Sequence, residues 1–367
     1  VELFIATQWL HVDQSQVAAC LGLPLDKVRL VLAGVGGAFG AREDLSMQVH
    51  ICLLALHTGR PVKMVFSREE SFFGHVHRHP CRLRYRHHAD RDGTLRKVEA
   101  KLIFDGGAYA SSSTAVLANG VSFAAGPYRV PHALVEGWAV RTNNPPCGAM
   151  RGFGVVQACF AHESQMDRLA AELGMDPVEL RLRNAMRTGD RMITGQEITG
   201  TAPAAECLRA ATEMPLPPVP TEGDDDVMLL PGGAGRTADR GQVRRGVGYG
   251  LSIKNIAFSE GFDDSAAAAC TLRGDVAIIK SACAEVGQGF VTIAGQIARE
   301  VLGVSDVVID TADTDIGSAG STSASRQTWM SGGAVEHACR GVRDLVIDRA
   351  ARRIGADPAT LDLADGR

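Results

Sequence analysis

Four glycine-rich stretches, each followed at once by a helix-like pattern, constrain this chain more than any other feature. Glycine adopts backbone angles that other residues avoid, so these stretches predict tight turns that bring backbone amides close to a ligand. We name them the first, second, third and fourth loops. They are GVGGAFGARED (34–44), TNNPPCGAMRGFG (142–154), CAEVGQG (283–289) and GSAGSTSASRQTWMS (317–331).

Each loop has a simpler interpretation when it is taken alone. The first resembles a dinucleotide-binding turn, but Phe39 stands where the third glycine of that fingerprint is required, and no P-loop lysine follows. The others read as surface turns or helix caps. Taken together, four polar turns at helix starts favour one large, polyanionic cofactor that the chain contacts at several points.

Composition excludes several classes of function. The chain has 367 residues and a net charge of −4, so it has no basic field for nucleic acid. No apolar run approaches the roughly 18–20 residues that span a bilayer. The nine cysteines form no C-x-x-C pair, which predicts reduced thiols and a cytoplasmic location.

The periodicity of apolar residues predicts an α/β fold. A short helix with Asp13 as its N-cap ends at Gly22, the strand KVRLVLA follows, and a helix ended by Gly59 leads to a further strand, VKMVFS (62–67). Later segments alternate strand and helix patterns, with a helix stopped by Gly174 and a new one capped by Asp176.

A change of composition predicts two domains. Residues between Pro215 and Gly246 are rich in Pro, Gly and Asp and have no hydrophobic period. We therefore predict a first domain at 1–213, a linker at 214–245 and a second domain at 246–367. The chain opens on VELFIATQ, which reads as a strand interior, and we expect an internal fragment of a longer protein, incomplete at both ends.

The four loops and the segment IATQWLHVDQSQVAACLGLP resemble, in order, the molybdenum-cofactor subunit of the xanthine dehydrogenase and aldehyde oxidase family. The similarity extends along essentially the whole chain. GLSIKNIAFSEGFDD and NGVSFAAGPYRVPHALVEG look closest to the separate large, D-type subunit of bacterial xanthine dehydrogenases. The resemblance implies two α/β domains that clasp a molybdenum–molybdopterin cofactor, expected here in its cytosine dinucleotide form. It also implies that the pterin dithiolene, and no side chain, holds the metal.

The resemblance assigns roles to residues around the substrate. Gln8 matches a glutamine that donates a hydrogen bond to the metal's oxo ligand, and Glu43 matches an acid that hydrogen-bonds a heterocyclic substrate. Arg151 and Phe153 match the RGF motif that lines the metal pocket, and the phenylalanine packs on the substrate ring. Gln8, Glu43 and Arg151 are therefore the expected catalytic residues.

The same comparison implies cofactor contacts in three loops. Phe39 and Gly40 match the turn beside the metal's ligand shell. The third loop contributes Gly287, Gln288 and Gly289, and the fourth contributes Ala324 and Ser325, to hold the pterin and its phosphate tail.

The chain departs from the family pattern at three places. Asn119 stands where animal xanthine oxidases have an active-site arginine, and is expected to bind substrate more weakly. Ile253 stands at the place of a second stacking phenylalanine. Cys147 lies near the active-site cysteine of carbon monoxide dehydrogenases, but we interpret it as structural. The family's catalytic glutamate is expected beyond residue 367, so the fragment alone is expected to be inactive.

The implied activity is hydroxylation of a purine such as xanthine or hypoxanthine at a ring carbon, with oxygen from water. Oxidation of an aldehyde or another N-heterocycle stays open, as does, more remotely, a non-catalytic nucleotide-binding or scaffold role. Electrons would leave through a 2Fe-2S subunit to an FAD-binding subunit, since this chain has no cysteines spaced for a cluster. The expected assembly is a dimer of such heterotrimers, without nucleic acid or membrane.

Overall fold

The computed structural model describes residues 1–216, 246–258, 264–310 and 312–363. These ranges form a mixed α/β fold, which confirms the predicted fold class. The strands are Glu2–Ile5 (β1), Arg29–Leu32 (β2), Cys81–Ala89 (β3), Leu95–Gly107 (β4), His132–Arg141 (β5), Ala268–Arg273 (β6), Val276–Ser281 (β7) and Asp306–Asp310 (β8). The helices are Leu10–Leu21 (α1), Gln48–Thr58 (α2), Arg68–Gly74 (α3), Ser113–Ser122 (α4), Val155–Leu173 (α5), Pro177–Asn184 (α6), Ala204–Glu213 (α7), Phe290–Leu302 (α8) and Gly332–Ile354 (α9).

One hydrophobic core contains side chains from both ends of the chain. β1 and β2 pair in parallel, while β7 lies between antiparallel β6 and parallel β8. Helices α1, α8 and α9 pack against these two small sheets. The buried side chains of this core include Leu3, Leu10, Leu30, Ile279, Phe290, Ala294 and Val335. Because both sequence ends contribute to one core, loops far apart in sequence are held close in space.

A second core lies beneath the sheet β3–β4–β5. β4 is the middle strand, antiparallel to β3 and parallel to β5. Its alternating residues Val98, Leu102 and Phe104 are fully buried against α4 and α5. This packing fixes the start of α5, and therefore the second loop that leads into it.

A buried polar network joins α5 to the segment that follows residue 246. The carboxylate of Glu163 accepts from Arg181 Nε at 2.7 Å, from Tyr128 Oη at 2.6 Å and from the backbone N–H of Leu251 at 3.0 Å. Burial opposes ionisation of Glu163, but hydrogen bonds from His162, Tyr128 and Arg181 lower its pKa. The network thus anchors the second segment to the first with each carboxylate oxygen partnered.

Two local predictions are wrong. Asp13 is not an N-cap: α1 begins at Leu10, and Asp13 lies buried within it, because tertiary contacts draw its carboxylate inward. Residues 62–67 form no strand, because no described strand pairs with them. The helix ends at Gly22, Gly59 and Gly174 are confirmed, each in the left-handed conformation.

The proposed division into domains stays a prediction. Most of the linker expected at 214–245 falls outside the described residues, of which it includes only 214–216. α7 ends at Glu213, immediately before it.

We expect Gly154→Ala to destabilise the chain by roughly 3 kcal/mol or more, measured by urea unfolding. Gly154 has φ 92, and a Cβ there would lie 2.0 Å from the carbonyl oxygen of Val116 in α4. The matched control is Gly174→Ala, at φ 63 with nothing within 4 Å. The control should cost about 1 kcal/mol, for the left-handed conformation alone. Equal costs for the two variants would contradict this account.

Candidate active site

Backbone strain marks one region of the molecule. Left-handed backbone is unfavourable for residues with a Cβ and clusters at functional sites. The described part of the chain has six such non-glycine residues: Phe39, Ser111, Phe153, Ala257, Ala324 and Ser325. Four of them are residues that the family resemblance assigned to the site. The other two contact the same loops, through bonds from Ser111 to Asp44 and from Ala257 N to Ala324 O.

The side chain of Gln8 joins the first loop to the fourth. Its Oε1 accepts from Gly40 N at 3.0 Å and Arg42 N at 3.3 Å, and its Nε2 donates to Thr322 O at 2.6 Å. Its backbone adds bonds to Arg42 and Thr322. The side chain is only 4% exposed, so each of these bonds forms away from water. One amide N–H of Gln8 is left to donate to a ligand.

The third loop closes the junction from another side. Gly37 N donates to Val286 O at 2.8 Å, and Val35 N donates to Glu285 O at 3.3 Å. The third and fourth loops meet where Ala284 N donates to the hydroxyl of Thr322 at 2.8 Å. The third loop is therefore bonded directly to the first and to the fourth, while Gln8 joins the first to the fourth.

The second loop packs against the turn at Phe39 and Gly40. A Cβ on Gly40 would lie 2.8 Å from Ala149 O, so only glycine permits this approach. Arg151 N donates to Phe39 O at 2.8 Å, and the Arg151 guanidinium lies 5.8 Å from the centre of the Phe39 ring. The Phe39 side chain is 61% exposed. The four loops thus converge, and Phe39 and Arg151 form part of their open rim.

Glu43 is the titratable group at this junction. Its side chain is half-buried, and its carboxylate lies 3.5 Å from the Ser321 hydroxyl, which in turn lies 2.7 Å from the Ser323 hydroxyl. Burial raises the pKa of Glu43 from its ordinary 4.5 to about 7, and nearby Asp44 adds to the rise, while both serines oppose it. Near neutral pH this carboxyl group can therefore donate or accept a proton.

Asp44 and Ser111 are neighbours of the site that the sequence did not indicate. The Ser111 hydroxyl donates to Asp44 at 2.7 Å, and burial raises the pKa of Asp44. Burial also raises the pKa of Asp13 to about 6, with Asp44 adding to the rise. The acidic pair Glu43–Asp44 in the first loop was the one available signal, but Ser111 lies in an unrelated segment.

The start of α8 is capped by a side chain of its own loop, one of the two interpretations that the sequence left open. The carboxylate of Glu285 accepts from Gly287 N, Gly289 N and Val291 N at 2.8, 3.1 and 3.0 Å. Gln288 folds back on its own loop, donating to Ala284 O and accepting from Val286 N. The fourth loop is likewise held internally by a fully buried Arg326, which donates to Ala319 O and Ser321 O.

The two remaining substrate-binding candidates are Asn119 in α4 and Phe153 in the second loop, which also contains Cys147, the residue interpreted as structural. Asn119 is buried in α4 and donates to Ala115 O of its own helix at 3.3 Å. Phe153, within the second loop, packs on the second core. Cys147 is buried, and burial raises the pKa of its thiol to about 11, as a structural thiol requires.

The residues of the junction suit a large organic cofactor better than a protein-bound metal ion. The described ranges contain no group of three or more His, Cys, Asp or Glu side chains placed to hold a metal. Gly287 and Gly289 have positive φ, and a Cβ there would meet nothing closer than 3.8 Å, so a ligand can approach their backbone. The donor set consists of amides, hydroxyls and aromatic faces, which suits a planar, polar ring system.

One surface cavity adjoins this junction, and another lies away from it. One of about 340 Å³ is lined by Arg42, Arg68, His75 and neighbouring residues, and adjoins the first loop. One of about 600 Å³ lies beside the start of β5 and contains none of the candidate residues. We place the candidate site at the loop junction, where strain and cross-loop bonds coincide.

Comparison with known proteins identifies the family. Two models, each describing a molybdopterin cofactor-binding domain, match residues 1–185 and 233–367. The chain belongs to the molybdopterin-binding subunits of the xanthine dehydrogenase and aldehyde oxidase family. The resemblance that the loops carried is thereby confirmed.

Individual relatives differ in substrate. The chain is 45% identical over 209 residues to the nicotinate dehydrogenase large molybdopterin subunit of Eubacterium barkeri, covering 57% of this chain and 49% of the relative. It is 35% identical over 335 residues to a probable xanthine dehydrogenase subunit of Bacillus subtilis, covering 89% of this chain and 42% of the relative. The chain therefore spans about half the length of these relatives or less.

The fold of the chain matches solved structures of the family. The aldehyde oxidoreductase from Desulfovibrio desulfuricans superposes with a TM-score of 0.81 at 25% identity, over 97% of this chain and 38% of the other. None of the helices in the described ranges has the length and apolar content needed to cross a bilayer.

We expect Gln8→Leu to separate the first and fourth loops. It leaves two backbone amides and one carbonyl buried without their partner, at roughly 1–3 kcal/mol for each group. Urea unfolding and hydrogen exchange at Gly40 and Arg42 measure the change, with the exposed Gln16→Leu in α1 as control. Unchanged protection of both amides would show that Gln8 does not hold the junction.

Because of Glu43, the free energy of unfolding should fall as pH rises. Its pKa is higher in the folded chain than in the unfolded chain, so the folded chain binds the proton more tightly. Stability is therefore lost between about pH 4.5 and pH 7, by roughly 3 kcal/mol in total. Burial also raises the pKa values of Asp13 and Asp44, so Glu43→Gln should remove only the part of this slope that comes from Glu43. The exposed Glu172→Gln should keep the whole slope, in unfolding curves measured across that range.

Proposed function

We propose that the full-length subunit hydroxylates a ring carbon of an N-heterocycle, with a purine such as xanthine or hypoxanthine as the substrate. The observation that supports it most directly is Glu43, a carboxyl group with a pKa of about 7 at the meeting point of the loops. Such a group hydrogen-bonds ring nitrogens either as donor or as acceptor, whereas an aldehyde offers no ring nitrogen to bind.

The cofactor in this proposal is molybdenum–molybdopterin, in its cytosine dinucleotide form. When bound, it supplies the redox chemistry and the oxygen transfer that side chains cannot perform. Gln8, Phe39, Gly40 and Arg151 would hold the end nearest the substrate. The third loop, through Gly287–Gly289, and the fourth, through Ala324 and Ser325, would hold the pterin.

The chain's own residues would orient the substrate. Glu43 would bind the ring nitrogens, and its two serine neighbours would keep the carboxyl group in place in both protonation states. Gln8 would direct its remaining amide N–H at the cofactor while its other bonds fix the side chain. Phe153 would stack on the ring, and Asn119 would donate a neutral hydrogen bond in place of a charged one.

Partner subunits complete the proposal. The cysteines of this chain are dispersed, so electrons would pass to a 2Fe-2S subunit and then to an FAD-binding subunit. We propose a cytoplasmic dimer of such heterotrimers. The two matched models, ending at residue 185 and beginning at 233, support a division into domains at 1–213 and 246–367.

A pyridine carboxylate is a second candidate substrate. The 45% identical relative is named a nicotinate dehydrogenase, and its matched stretch is more similar than that of the xanthine-type relatives. A pyridine presents one ring nitrogen to Glu43, whereas a purine presents several. Aldehyde oxidation is the third possibility within the family.

Glu43→Ala in the assembled complex tests the role of this acid. It should lower kcat/KM for the N-heterocycle by at least about 100-fold, because the ring nitrogens lose their partner, and change aldehyde turnover by less than about tenfold. Wild-type kcat/KM for xanthine, nicotinate and an aldehyde decides among the substrates. A wild-type preference for the aldehyde would refute the proposal.

A further inference from the structure

Both carboxylate oxygens of Glu285 accept hydrogen bonds from backbone N–H groups. Oε1 accepts from Gly287 N and Gly289 N, and Oε2 accepts from Val291 N. Phe290 N adds to these, and together the amides keep the pKa of Glu285 below its usual range although burial opposes ionisation. The side chain stays ionised at neutral pH and satisfies donors that the helix itself leaves open.

The same residue joins the third loop to the first. Its backbone carbonyl accepts from Val35 N, and the adjacent Val286 O accepts from Gly37 N. The side chain therefore fixes the turn from within, while the backbone fixes the position of that turn against the Phe39–Gly40 turn.

One amide of this turn stays available. Gln288 N has no acceptor among the described residues, whereas its neighbours Gly287 and Gly289 both donate to Glu285. The carboxylate also fills the place at the start of α8 where a phosphate would otherwise bind.

We infer that Glu285 is a positioning residue for the cofactor, an inference that rests on the proposed function. Its carboxylate holds the Gly287–Gly289 turn in the form that leaves Gln288 N–H for the pterin. Because the same carboxylate occupies the start of α8, the anionic tail of the cofactor binds elsewhere. Glu285 does not itself touch the reacting atoms.

The test uses the assembled complex with Glu285→Ala and Glu285→Gln. The readout is molybdenum and pterin retained per subunit after prolonged gel filtration. We expect Glu285→Ala to lose the cofactor at least about tenfold faster than wild type, and Glu285→Gln to fall between them, because its amide oxygen still accepts. Millimolar formate, a carboxylate small enough to fill the vacated place, should restore retention in Glu285→Ala and leave wild type unchanged.

Glu70→Ala is the matched control. Glu70 also accepts from backbone at a helix start, in the capping box of α3, but lies outside the four loops. It should lose stability without losing cofactor. Wild-type retention in Glu285→Ala, or loss that formate does not restore, would overturn the inference.

A second measurement covers a variant that fails to fold. Hydrogen exchange in the wild-type protein without cofactor should show Gly287, Gly289 and Val291 amides protected, because their acceptor belongs to the chain. Rapid exchange of all three would refute the role of Glu285. A wild-type complex that never carries pterin would instead refute the proposed function.

Discussion

The buried amide of Gln8 is the contact on which the site depends. Its acceptor oxygen and donor nitrogen are both used by backbone groups, from loops that lie 32 to 314 residues away in sequence. Backbone groups cannot change rotamer to seek another partner, so the amide fixes the distance between the loops. In a water-excluded place, any loop movement would leave polar groups unsatisfied. The site is therefore organised before a ligand binds.

That organisation carries a cost in backbone energy. Each left-handed residue with a Cβ costs on the order of 1–2 kcal/mol, and six of them surround the junction in the described part of the chain. The offset comes from packing elsewhere: the core shared by both ends of the chain, and the network around Glu163 that anchors the segment after residue 246. A chain without its C-terminal strands would lose the partners of the first loop, so strain and long-range packing depend on each other.

The sequence predicted the parts that depend on local chemistry. Helices end at Gly22, Gly59 and Gly174, as the sequence predicted, because the left-handed conformation that ends each helix depends on the local backbone alone. The motifs identified the family, and they included four of the six non-glycine residues that have left-handed backbone. Tertiary partners decided what the sequence missed. Asp13 looked like a cap but lies buried near Asp44, and Glu285 looked like part of a loop but fills a helix start.

The electrostatics of the junction explain why the pKa of Glu43 is raised to about 7. Two arginines of the loops have partners other than Glu43: Arg326 pairs with Asp264 and donates to backbone carbonyls, and Arg151 lies over Phe39. Burial, and to a smaller extent Asp44, raise the pKa of Glu43, and the hydroxyls of Ser321 and Ser323 compensate only in part. A paired carboxylate would only accept hydrogen bonds, whereas this carboxyl group can exchange donor and acceptor roles. That property suits a ring whose nitrogens occur in both protonated and unprotonated forms.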